Sequence, residues 1–188
     1  MRRVVLREDQ LRPVAVWGYY DTERSAVLSK KRAVIEMCTS AHAEHADPKF
    51  TGWSLAEIEE HFDTILTEVD HQISLSLLAA AEAAIRVDFF RRVQERGKDA
   101  VSRRLRSLPL LDAGRGDRNL RVRLDDILSV WASEVPTCKS ALARFRGALN
   151  YRHWLAHGRF WKPKLGMRYS PHIVQKTIED LLEALGLA

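Results

Sequence analysis

The run Asn150-Tyr151-Arg152-His153-Trp154-Leu155-Ala156-His157-Gly158-Arg159 sets an arginine and a histidine close together. A guanidinium is a planar, two-pronged donor that matches phosphate oxygens and keeps its charge. An imidazole takes up or gives off a proton near neutral pH. The two groups together meet the demands of RNA cleavage: charge on the scissile phosphate, removal of a proton from the 2′-hydroxyl, and delivery of one to the 5′-oxygen. That route needs no metal or other cofactor. Five steps along an ideal helix leave Arg152 and His157 about 140° apart, off a common face. Gly158 changes the expectation, because glycine is favoured just past a helix C-terminus. His157 is therefore expected where the helix unwinds, free to turn back toward Arg152. Arg146, Arg159, Lys162, Lys164 and Arg168 surround the pair and are candidates for guiding backbone phosphates.

The segment from Arg152 to Gly158 resembles the Arg-x4–6-His signature of the HEPN superfamily. The resemblance implies a compact all-α fold, an up-and-down helical bundle that commonly dimerises and brings two motifs into one cleft. It implies a metal-independent endoribonuclease acting on RNA in toxin–antitoxin systems, phage defence or RNA processing, with an antitoxin protein as a further partner. Carried over by position, Arg152 holds phosphate and His157 is the acid/base residue. The position after the arginine is often asparagine in the family and is His153 here, a supporting polar group. The stretch Ala81–Asp88 resembles the charged helix of some related bacterial proteins. Helical context extends the likeness over 54–185. The alternative reading is a non-catalytic helical module that binds RNA, a nucleotide or a partner protein.

Other constellations admit two readings each. Glu82 and Arg86 stand four residues apart, the spacing of a plain helix ion pair. Charges within LLAAAEAAI are poor choices for a simple core, so Glu82, Arg86 and Asp88 are also candidates to line the cleft and orient Arg152 or His157. His153 and His157 share a helix face and make a metal pair conceivable. Trp154 stands where a zinc protease has glutamate, however, and no third ligand is evident, so no metal is assigned. His42, Glu44 and His45 match no standard zinc spacing and read as a solvated turn. Trp131 and Trp154 suit packing, and Trp161 is the better platform for a base. The basic run Arg103-Arg104-Leu105-Arg106 reads as a solvated face.

These residues need a helical frame. Ser54 and Glu57 form a capping box, and Leu55, Ile58, Phe62, Ile65, Val69 and Ile73 follow at helical spacing. No Gly or Pro interrupts the pattern until Gly97. Forty residues would reach about 60 Å, a scaffold for pairing with a second copy, with a kink near His71–Ser76 admissible. Shorter helices are expected over 22–41, 98–107, Leu124–Val135, the segment after Thr137 (as its cap), and the segment after Ser170 and Pro171. Val14–Tyr20 suits a short strand or a packed arm. Ala46–Gly52 and 112–119 read as loops. Residues 1–53 form an N-terminal extension and 54–188 the helical domain.

The bulk numbers fit this frame. A chain of 188 residues with 46% apolar and 29% charged content holds one core. Its net charge of +5 permits nucleic-acid contact without requiring it. Cys38 and Cys138 lack metal-ligand spacing and suggest a reducing, cytoplasmic setting. Arg7, Glu8 and Asp9 break any apolar run near the start, which argues against a signal peptide. No stretch is apolar for the roughly 18 residues that a membrane span takes.

Overall fold

A computed structural model of the chain describes residues 11–39, 47–108 and 122–187. The His42–His45 turn, the 112–119 loop and the charges at 7–9 fall outside those residues. The described residues are all-helical: α1 (Pro13–Thr39), α2 (Leu55–Gln94), α3 (Ala100–Arg106), α4 (Leu124–Glu134), α5 (Lys139–Ala156) and α6 (Pro171–Ala184). They contain no helix long and apolar enough to cross a membrane.

Helix α1 takes up the Val14–Tyr20 run, for which a strand or arm is the expectation. Its first turn holds Pro13, whose fixed φ suits that position. Val16 and Tyr20, four residues apart, are buried, whereas Val14 and Tyr19 are exposed. That is a helical stripe, and the alternation of a strand is missing. Trp17 and Tyr20 meet His172 edge-on, so α1 touches the start of α6.

Helix α2 runs for 40 residues without a break. Ser54 Oγ accepts from the Glu57 amide and Glu57 accepts from the Ser54 amide, the reciprocal pair expected from the spacing. Its C-terminal half supplies Leu77, Leu78, Ala81, Ile85 and Phe89 to the main core, where Ile127, Leu142, Phe145, Ile178 and Leu181 also lie fully buried. Its N-terminal half lies antiparallel to α1, with Tyr20 bonded to Asp70 and Lys31 to Asp63. At the far end of this hairpin Val34, Phe50, Ile58 and Phe62 make a second, smaller core.

Caps delimit the remaining helices. Asp99 accepts from the Ser102 amide and opens α3, on which Leu105 is buried while Arg103, Arg104 and Arg106 face solvent. Ser170 and Pro171 open α6 as expected. Thr137 does not cap α5. It lies within a 3-10 turn, Pro136–Cys138, which runs straight into the helix with Cys138 at the boundary and no side-chain cap bond. A turn already in helical conformation leaves no extended residue to place a hydroxyl over the first amides.

Candidate functional site

The end of α5 sets the site. His157 is its C-cap, with φ −99 and ψ 21. Gly158 follows at φ +78, the left-handed region in which a Cβ is penalised. The Gly158 amide donates to the Leu155 carbonyl and the Arg159 amide to the Trp154 carbonyl, the paired bonds of a Schellman turn. The helix therefore stops at Ala156, with the motif's last residue as its cap, and leaves the His157 side chain exposed.

His157 turns toward His153. Their ring centroids lie 4.3 Å apart, and Trp161 stands 5.9 Å from the first ring and 6.5 Å from the second. The expected turn of His157 toward Arg152 is replaced by this pairing, because i and i+4 remain on one face as far as the cap. Arg152 instead points to α2, with Nη2 3.5 Å from Glu82 Oε2. Its Nε is buried and has no hydrogen-bond partner among the described residues. Glu82 is shared, since Arg86 donates to Oε1 through Nε at 3.1 Å and Nη2 at 2.9 Å. Arg86 also donates to the Val122 carbonyl and ties the segment before α4 to α2.

Glu82 thus contacts both Arg152 and Arg86. Asp88 does not join them. It is 3% exposed and is held by Arg91 at 2.9 Å and Arg92 at 2.7 Å. Glu82 and Asp88 are six residues apart, which rotates Asp88 off the face that meets α5. Arg92 also lies over the Trp131 ring, 4.9 Å from its centroid, so that cluster bolts α2 to α4.

The surrounding cations divide in two. Lys162 and Lys164 are exposed. Arg146 is engaged by Asp125 and Ser129 of α4. Arg159 is engaged more firmly, for Nη1 and Nη2 donate to the two oxygens of Glu68 at 2.7 and 2.8 Å. Its Nη1 also meets His71 Nδ1. A guanidinium only donates, so in this contact Nδ1 is the acceptor, a role open to the neutral ring alone. Burial, and then the Arg159 charge, hold His71 below the ordinary histidine range, and Arg159 holds the Glu68 carboxyl low. These contacts make Arg159 a lock between the α5 terminus and α2.

Aromatic packing fixes the segment after the helix. Trp154 Nε1 donates to the Trp161 carbonyl at 2.7 Å. The Tyr151 ring stacks on both Trp154 and Tyr169. Next to Trp161, Phe160 is 83% exposed. Glu68, His71 and Phe160 are not among the residues that the sequence singles out. The first two lie on the polar side of α2 and meet Arg159 only through tertiary packing across 88 and 91 residues. Phe160 follows the helix stop and has no periodic context. Among the described residues no group of three or more His, Cys, Asp or Glu side chains is arranged to hold a metal ion. No protein-family model, curated protein or solved structure matches this chain.

Proposed function

We propose that the chain is a metal-independent endoribonuclease of HEPN type. In this reading Arg152 holds the scissile phosphate and His157 transfers the proton. The single observation that carries it is the Schellman turn at Gly158, which leaves His157 exposed at the end of the same helix that presents Arg152. Glu82 supports the reading by contacting the guanidinium while the Arg152 side chain stays 38% exposed. His153 stands beside His157 as a supporting group. Lys162 and Lys164 supply sequence-independent attraction for the RNA backbone. Two copies complete the site, each contributing one motif to a shared cleft, and a toxin–antitoxin or phage-defence setting with an antitoxin partner follows from the same resemblance.

The test is cleavage of RNA by the purified chain in EDTA, compared with Arg152→Ala and His157→Ala. Loss of the proton-transfer group is expected to slow the reaction by about 10²–10⁴-fold, and the wild-type product is expected to carry 2′,3′-cyclic phosphate ends. Equal cleavage by wild type and both variants sinks the assignment. A non-catalytic module that binds RNA, a nucleotide or a partner protein is the second reading. It draws on the separate engagement of Arg152 with Glu82 and His157 with His153. Tight binding of RNA with no cleavage by wild type selects it.

A further inference from the structure

The two imidazoles at the end of α5 have a second chemistry open to them. His153 and His157 are both exposed, and neither ring has a hydrogen bond to the described residues. Two nitrogens bound to one ion at about 2.0–2.1 Å stand roughly 3–4 Å from each other. In such a pair the ring centroids stand farther apart than the nitrogens, and centroids 4.3 Å apart put both rings within reach of one ion. The rings sit on the last turn of a helix, where the backbone dipole favours a cation. The backbone below them is pinned by the Schellman bonds and by the Trp154–Trp161 hydrogen bond, so binding an ion orders little that is not ordered already.

We propose that His153 and His157 form an exchangeable two-imidazole site for a divalent transition-metal ion of the copper, nickel or zinc class. Neutral imidazole suits these ions, and among them copper binds a given nitrogen site most strongly. With two protein ligands the other positions stay with water, which makes the site one of exchange and not of permanent structure. Filling it takes the free nitrogen of His157 away from proton transfer. That consequence alone rests on the nuclease reading; the binding does not.

Trp161 provides the readout, because its ring lies 5.9 and 6.5 Å from the two imidazoles and bound Cu²⁺ quenches nearby indoles. Cu²⁺ is titrated into the tag-free full chain carrying Cys38→Ser, which removes the half-exposed thiol as a competing ligand. Saturable quenching is expected. His153→Ala and His157→Ala, each on an exposed position, are expected to raise the half-saturating concentration by at least about tenfold, the lower end of what even outer-shell changes do at metal sites. Trp161→Phe is expected to remove most of the quenching. The proposal is overturned if either histidine variant follows the wild-type curve, or if Trp161→Phe quenches as strongly as wild type. The titration contains no RNA. A chain that binds copper in this way yet leaves RNA intact sinks the nuclease reading alone, and one that cleaves RNA but titrates like His153→Ala sinks the metal site alone.

Discussion

His157 owes its exposure to the residue behind it. Gly158 sits at φ +78, where an added Cβ meets no neighbouring atom within 4 Å, so the cost of a substitution there is conformational and not steric. That separation orders three variants. Gly158→Asn is the mildest, since asparagine tolerates the left-handed region. Gly158→Ala costs about 1 kcal/mol or more, and Gly158→Val costs more again because a β-branched residue resists that φ. Urea denaturation checks the order, and an alanine variant as stable as wild type contradicts it. Glycine after an apolar-periodic helix is a local signal, and for that reason the helix stop is legible in the sequence itself. The orientation of His157 is not. Its pairing with His153, and the turn of Arg152 to Glu82, depend on which faces of α5 meet α2 and which meet solvent.

Between elements, the contact that decides where the α5 terminus lies is the Arg159–Glu68–His71 lock. No spacing announces it, since its members are far apart in the chain, whereas the capping box at Ser54 and the glycine stop at Gly158 are read within four residues. The Val14–Tyr20 run is ambiguous for a related reason: a short apolar stretch is compatible with either period, and only its burial against α2 and α6 selects the helix. The lock has a measurable strength. Glu68 and Arg159 are 44% and 33% exposed, so solvent screens them, and a double-mutant cycle of Glu68→Ala with Arg159→Ala is expected to return about 0.5–1 kcal/mol of coupling. It also has a pH signature. His71 in the folded chain is held below its unfolded value by burial and by Arg159, with Glu68 and Asp70 opposing the shift. The folded state therefore binds its proton less readily than the unfolded state. Stability from this group is fully present above about pH 6.5 and is lost as pH falls through the lowered folded value. His71→Asn keeps an oxygen acceptor for Arg159 and cannot titrate. Unfolding free energies at pH 7.5 and 5.5 are expected to differ less in that variant than in wild type. An unchanged difference places the pH dependence on other groups.

Over the whole molecule, α2 carries two cores at its two ends and a polar waist between them. The main core takes the half from Ile73 onward, and the small one takes Ile58 and Phe62 with Val34 and Phe50. Between them the α1–α2 hairpin is held by polar pairs, Tyr20 and Arg24 with Asp70, and by the Arg159 lock. Such pairs are worth little beside buried apolar area, so the waist is where cooperativity between the two ends is weakest. Phe62→Ala removes a ring that is 3% exposed and stacked on Phe50, a change that costs about 3–5 kcal/mol where the cavity cannot close. A loss of that size exceeds what four buried residues at the hairpin tip can absorb, and the tip is expected to open while the bundle persists. Hydrogen exchange reads the difference directly. Amides of α1 around Val34 and of α2 around Ile58–Phe62 are expected to lose protection, whereas those around Leu77–Phe89 and Leu142–Tyr151 keep it. Equal loss of protection in both sets makes the long helix a single cooperative unit and removes the waist as a boundary. Under the first outcome the end of α5, with Arg152, His153 and His157, retains its scaffold, because Glu82 and the Tyr151–Trp154 packing lie on the bundle side of the waist.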